Sequence, residues 1–64
     1  METKYYYVIK HKNKYMDNAG GFYSFEHAWL MTSYESIVYE LDELRNLNPD
    51  ENYQLKQIMV MEGE

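Results

Sequence analysis

The strongest constraint on the fold of this chain is the amphipathic segment at residues 32–47, TSYESIVYELDELRNL. Its apolar residues recur at the i, i+3, i+4 and i+7 spacing that places side chains on one face of an α-helix. These residues are Tyr34, Ile37, Val38, Leu41 and Leu44. Most of the charged residues between them fall on the opposite face, so the pattern predicts a single amphipathic helix.

The two ends of this helix carry their own signals. Thr32 is followed three residues later by Glu35, which is the spacing of a capping box and predicts that the helix begins near Ser33. Pro49 disfavours helical geometry at the residue before it, so we expect the helix to end at residues 46–48. A helix of about 14 residues is only marginally stable in water and must pack its apolar face against other elements.

The segments before the helix predict those other elements. Residues 4–11, KYYYVIKH, are rich in the aromatic and β-branched types that strands favour. Lys12 and Asn13 predict a short hairpin turn, with Asn13 suited to the left-handed conformation. We expect residues 14–17 to form the returning strand, and NAGG at residues 18–21 to form a second turn.

The next two segments leave alternatives open. Residues 22–25 either continue the returning strand or start another one. Residues 26–31, EHAWLM, either extend the helix backward or form a short extended piece that leads into it. The second interpretation is favoured, because a capping box at Thr32 would have no use in the middle of a helix.

After the helix, the polar cluster NPDEN at residues 48–52 predicts a turn, and YQLKQIMVM at residues 53–61 predicts the closing strand. The apolar residues of that strand change face, because Tyr53 and Leu55 share one parity while Ile58 has the other. Either both faces of the strand are covered or a β-bulge shifts its register.

These elements predict one α+β domain over residues 1–64, with a small antiparallel sheet of three or four strands and one helix packed on one face. The other face is then expected to stay open and to carry large apolar side chains. The candidates are Tyr5, Tyr6, Tyr7, Tyr15, Phe22, Trp29, Met59 and Met61. Such a face predicts a homodimer, a partner protein or a ligand cleft, and a dimer would add stability to so small a domain.

The charge of the chain is unevenly distributed. Residues 1–14 hold four lysines against Glu2 alone, which gives +3, and residues 15–64 hold Lys56 and Arg45 against ten acids, which gives -8. The two parts account for the net charge of -5. An acidic protein is poorly suited to duplex nucleic acid, which is bound by Lys and Arg, and it suits a basic protein surface instead.

Several classes of protein are not expected from this sequence. It has no cysteine and two histidines that no motif joins, so we expect no metal and no cofactor. No catalytic triad, carboxylate pair or Gly-rich phosphate loop is present, so we expect a protein that is not an enzyme. No apolar run reaches the ~20 residues of a membrane span, and no signal peptide is recognisable, which together predict a cytoplasmic protein.

Two groups of residues are candidates for binding. The first is the acidic side of the predicted helix, which could occupy a basic groove on another protein or could simply face water. It consists of Glu35, Tyr39, Glu40, Asp42 and Glu43. The second is the basic hairpin turn with aromatic residues near it, which could bind phosphate and stack on a base or could be a solvated turn. It consists of Tyr5, Tyr7, Lys10, His11, Lys12, Lys14, Tyr15 and Trp29.

Three stretches also carry a resemblance: YYVIKHKNKYMDNAGGFYSF, AWLMTS before the helix, and YQLKQIMV after it. Their style resembles the small accessory proteins encoded by phages and prophages of low-GC Gram-positive bacteria. Proteins of that kind include non-catalytic inhibitors of host machinery and of antiviral defence, anti-CRISPR proteins among them. The resemblance implies a class of role and assigns no residue.

Three functions follow as hypotheses. The first is an inhibitor that binds a bacterial host or defence protein through the acidic helix and the open aromatic face. The second is a protein that sequesters a small signalling nucleotide, with the lysine turn holding phosphate and a dimer completing the pocket. The third is a structural or assembly subunit without a ligand. The acidic balance favours the first, because an acidic protein is a poor starting point for holding polyanions.

Overall fold

The computed structural model describes residues 2–62. In chain order it contains strand β1, strand β2, strand β3, a short 3-10 helix, helix α1 and strand β4. Their bounds are Glu2–His11, Lys14–Met16, Phe22–Tyr23, Phe25–His27, Tyr34–Leu47 and Tyr53–Glu62. The sheet has the order β3-β2-β1-β4 and is antiparallel throughout, so the predicted α+β domain with one helix on a small sheet is confirmed.

The sheet is built on the long pair of β1 and β4. Their register runs without interruption from Glu2 opposite Glu62 to His11 opposite Tyr53. No bulge occurs in this pairing, which decides one alternative that the sequence left open. The short strand β2 pairs with β1 only at Lys10 and His11. The other end of the β1–β4 pair therefore extends from the body as a two-stranded ribbon, in a molecule of 44 × 23 × 18 Å.

Helix α1 packs on the face of the sheet that carries the odd-numbered residues of β1 and β4. Ile9 and Tyr53 lie on that face and are buried against Ile37 and Leu41 of the helix. The helix is held at both ends, because the Tyr7 ring meets the Tyr34 ring edge-on at 5.4 Å and Arg45 hydrogen-bonds near the far end. The predicted apolar face of the helix is therefore the one that builds the core.

The prediction of which residues lie on the open face of the sheet was wrong. Three of its candidates, Tyr7, Phe22 and Trp29, are partly buried against the core under the helix. The opposite face is itself covered near the middle of β1, where Val8 is 0% exposed. On that side the Tyr15 ring packs edge-on against Phe25 of the 3-10 helix at 5.1 Å.

Three other candidates, Tyr5, Met59 and Met61, remain exposed and lie along the ribbon. Met59 is 56% exposed and Met61 is 54% exposed, and Tyr5 and Val60 are exposed beside them. Tyr5 pairs with Met59 across the two strands. These residues lie beyond the reach of the single helix, because the helix covers only the end of the sheet where all four strands meet.

Two local predictions need correction. Residues 26–31 are not a purely extended lead-in, because Phe25–His27 forms a 3-10 helix before the chain extends. Met31 then pairs with Tyr7 and continues the row of β2 along the edge of β1, and none of this segment joins α1. In the hairpin turn, the positive φ of 55° belongs to Lys12 and not to Asn13.

The N-cap of α1 is also shifted by one residue from the predicted capping box. Ser33 has extended backbone angles, and its side chain accepts a hydrogen bond from the backbone N–H of Ser36 at 3.3 Å. Thr32 lies before the cap, so the pairing of Thr32 with Glu35 was wrong. The predicted C-terminal boundary is confirmed, because Asn48 caps the helix immediately before Pro49.

This cap supports a direct prediction. We expect Ser33→Ala to lower the free energy of unfolding by about 1 kcal/mol, because one backbone donor at the helix start loses its acceptor. Thr32→Ala, the matched control one residue earlier, should change it by less than about 0.5 kcal/mol. Urea unfolding monitored by circular dichroism measures both. A larger loss of stability from Thr32→Ala than from Ser33→Ala would indicate that Thr32 is the N-cap, as the sequence predicted.

The structure also bears on a membrane location. In residues 2–62, no helix has both the length and the apolar character needed to cross a bilayer.

Candidate functional site

The outer side of α1 gathers most of the predicted acidic candidates on one surface. Glu35, Tyr39 and Glu43 are four residues apart, and Asp42 is three residues after Tyr39, so all four project from one side of the helix. We call these four residues the acidic face. Tyr39 lies at its centre and is 68% exposed. Glu40, the fifth candidate, is half-buried and lies to one side of this surface.

The packing of α1 fixes the direction in which the acidic face points. Ile37 is 0% exposed and Leu41 is buried, and both lie on the side of the helix opposite Tyr39. Rotation of the helix would remove these residues from the core, which stabilises the observed orientation. The acidic face is therefore presented to solvent on a helix whose orientation the core holds.

The chemistry of this surface suits a cationic partner. A tyrosine offers a large, rigid contact area and a hydroxyl at low entropic cost, and its ring face attracts Lys and Arg. Three surrounding carboxylates accept charge-assisted hydrogen bonds from the same residue types. Tyrosine is also among the residue types that are enriched at protein-binding hot spots.

The basic hairpin turn is placed differently from what the nucleotide hypothesis requires. The His11 ring donates from Nδ1 to the carbonyl of Asn52 at 3.0 Å, and its Nε2 lies 3.1 Å from the Glu51 carboxylate. The ring also packs on Tyr53 at 4.8 Å. His11 thus holds the loop after α1 against the end of the hairpin, and both of its nitrogens already have partners.

A cleft of about 340 Å³ lies at this end of the molecule. It is lined by Lys10, His11, Lys12, Asp50, Glu51, Asn52 and Gln54. The two acidic residues offset the charge of the two lysines, so the cleft lacks the excess of positive charge that a phosphorylated ligand favours.

The other members of the proposed nucleotide site lie elsewhere. Trp29 lines a second, smaller cavity of about 230 Å³ at the start of α1. Tyr7 packs against Tyr34, and Tyr15 packs against Phe25 with the Lys10 ammonium 5.9 Å from its ring centre. Tyr5 is exposed on the ribbon, and Lys14 begins β2 in an exposed position. The structure does not bring the eight residues to one cavity.

Sequence reasoning missed the role of the loop at residues 50–52. The polar cluster NPDEN signals a turn, and the turn is observed, but its contacts with His11 join residues 41 positions apart. No local pattern reports a contact over that separation. Among residues 2–62, no group of three or more metal-ligating side chains is placed to hold a metal ion.

Comparison with known proteins adds no relative. No protein-family model matches the chain, and no curated protein or solved structure matches it.

Proposed function

We propose that this chain is a non-catalytic binding protein that inhibits a bacterial host or antiviral-defence protein, in the cytoplasm of the host cell, by protein–protein contact through the acidic face of α1. The observation that carries the proposal is the position of Tyr39, which is 68% exposed at the centre of three carboxylates on a well-packed helix. The resemblance to small phage accessory proteins supports the class of target.

The partner that fits this surface has a basic groove or patch. The carboxylates of Glu35, Asp42 and Glu43 would pair with its Lys and Arg residues, and complementary charge speeds association and selects the partner. Tyr39 would fill a pocket between those residues and supply most of the binding energy. The nucleotide-sequestering function has less support, because its residues are divided among separate places and Asp50 and Glu51 line the lysine cleft.

The test compares matched variants in binding to one target. The tagged protein is used to capture host proteins at low salt, and the affinity of each captured protein is then measured in purified form. We expect Tyr39→Ala to weaken affinity by about 30-fold, which corresponds to the roughly 2 kcal/mol of a hot-spot residue. Affinity should also fall as salt rises, because exposed charges are screened.

The controls separate the acidic face from the rest of the surface. Tyr5→Ala removes an equally large exposed tyrosine from β1 and should leave affinity within about 3-fold. Glu43→Lys should weaken binding, whereas Glu26→Lys, a charge reversal in the exposed 3-10 helix, should not. Equal losses from Tyr39→Ala and Tyr5→Ala would contradict the proposal.

A further inference from the structure

The outer edge of β4 is the longest open edge of the sheet. Within residues 2–62, β4 is an edge strand of ten residues whose only strand neighbour is β1. Open edges invite another strand, and proteins usually protect them with proline, a bulge, a short length or several charges. This edge has no proline and no bulge, and Lys56 is the single charged residue between Tyr53 and Met61.

The hydrogen bonds of β1 identify which backbone groups face that edge. Tyr7 exchanges two bonds with Met31, of 2.7 and 3.0 Å, on the side of β1 away from β4. Backbone groups alternate in direction along a strand, so the even-numbered residues of β1 bond to β4. Their partners in β4 are also even-numbered. The odd-numbered residues of β4 therefore direct their N–H and C=O groups outward.

One of these outward groups already has a partner. Arg45 of α1 donates from its guanidinium to the carbonyl of Tyr53 at 3.2 Å, at the end of β4 nearest the body. This contact agrees with the assigned direction of the odd-numbered residues, and it closes the edge at Tyr53. The outward backbone groups of the rest of the strand belong to Leu55, Gln57, Met59 and Met61.

We propose that a second copy of this chain pairs with this edge, β4 against β4, about a twofold axis at Ile58. In that register Leu55 lies opposite Met61 of the second copy, and Gln57 lies opposite its Met59. Each such pair exchanges two backbone hydrogen bonds. The four outward residues of both copies are then satisfied, and the carbonyl of Tyr53 keeps its bond to Arg45.

The same register brings the exposed methionines of β4 against the second copy. Met61 of one copy is carried beside Leu55 of the other, which packs against the core under α1. The bare end of each ribbon thus meets the helix-covered end of its neighbour, because antiparallel pairing places opposite ends together. On the other face, the two Ile58 side chains meet at the axis as a non-hydrogen-bonded pair, the closest type of cross-strand contact.

The contact between the two strands is long. Residues 54–62 of each strand overlap in this register, which spans about 30 Å at about 3.4 Å per residue. Four residue pairs exchange backbone hydrogen bonds along this length, so the strand pairing itself carries the contact.

Charge favours this surface over others for self-association. The overlapping residues 54–62 contain one carboxylate, Glu62, and one lysine, Lys56, in a chain with a net charge of -5. Two copies that meet at β4 therefore avoid direct contact between acidic surfaces, whereas a contact through α1 would oppose like charges. The acidic face points away from the sheet and stays free, so the dimer does not depend on the proposed function.

The first test is the mass of the protein in solution. Sedimentation equilibrium of the wild-type chain at micromolar concentrations should give about twice the 7.8 kDa of one chain. A mass of one chain across the whole concentration range would overturn the proposal.

The second test determines the register by disulfide cross-linking. The chain has no native cysteine, so only the introduced cysteine can react. Ile58→Cys should form a disulfide-linked dimer under mild oxidation, because Cα atoms of a non-hydrogen-bonded pair lie about 4.5 Å apart. Gln57→Cys and Met59→Cys are the controls. In this register each would lie two residues out of alignment with its own copy, beyond the roughly 7 Å that a disulfide can bridge.

The relative rates of cross-linking distinguish the proposed register from random collision. Met59 is more exposed than Ile58, so random collision would link Met59→Cys faster than Ile58→Cys. Faster linkage of Ile58→Cys by at least about 10-fold supports the twofold axis at Ile58. Faster linkage of Gln57→Cys or Met59→Cys overturns the assigned register, and equal slow linkage of all three overturns the dimer.

Discussion

Ile37→Ala is expected to unfold this protein at moderate temperature. Ile37 is fully buried at the centre of the interface between α1 and the sheet, where it meets the cluster that contains Ile9 and Tyr53. Truncation of a buried Ile to Ala costs about 2–5 kcal/mol, because contacts are lost and a cavity remains. A chain of this size has a total stability of roughly 3–10 kcal/mol. The substitution therefore removes a large part of it.

The measurement is thermal unfolding by circular dichroism at one fixed protein concentration, because self-association makes the midpoint depend on concentration. We expect the Tm of Ile37→Ala to fall by at least about 10 °C. Asn46→Ala, on the exposed side of the same helix, is the matched control and should not lower Tm, since Ala is the better helix former. Equal Tm values for the two variants would contradict the assigned orientation of α1.

Val8→Asp is expected to prevent folding. Val8 lies on the face of the sheet opposite α1, and it is 0% exposed. A carboxylate at this position would be buried without a partner, at a cost of several kcal/mol that exceeds most of the stability available to the domain. The expected result is a far-ultraviolet circular dichroism spectrum of an unfolded chain at room temperature.

The control for this prediction is Tyr5→Asp, at an exposed position of the same strand. It should fold and lose no more than about 1 kcal/mol, the range of strand propensities. Val8→Ala is a milder substitution at the same site. It should lower the free energy of unfolding by about 2 kcal/mol, the value of burying a Val side chain. A folded Val8→Asp with little loss would show that water reaches this side of the sheet.

The burial of Val8 shows that the residues of the open face were predicted incorrectly. The sequence contains one amphipathic helix, and one helix covers one face of a sheet, so the pattern predicts that the other face lacks a cover. The Phe25–His27 helix, which is only one turn long, packs on that side through the contact of Phe25 with Tyr15. A turn of that length has no periodicity for a sequence pattern to detect.

The candidate site was predictable to the extent that it lies on one helix. Glu35, Tyr39, Asp42 and Glu43 share a face because of the 3.6-residue period alone, and the structure places them together. The alternative nucleotide site joined residues from two strands, a turn and Trp29. Its residues separate because strand register and the path of residues 24–31 decide which side of the sheet each one reaches.

The open edge of β4 was likewise predictable only in part from the sequence. The sequence predicts a strand at residues 53–61 with apolar residues of both parities, and it leaves a bulge as an alternative. Whether the strand is central or at an edge depends on strand order, which no local pattern encodes. The direction of its free backbone groups depends in turn on the bond between Tyr7 and Met31, 24 residues apart in the chain.

The sequence by itself determined the elements of this protein: helix α1 and its end before Pro49, the long strands β1 and β4, and the acidic face around Tyr39. These depend on periodicity, propensity and capping, which are local properties of the chain. The tertiary structure alone decided the strand order, the cover over Val8, the partners of His11 and the free edge of β4. Each of these is a contact between distant residues, and it is set by packing and by backbone hydrogen bonding after the elements have formed.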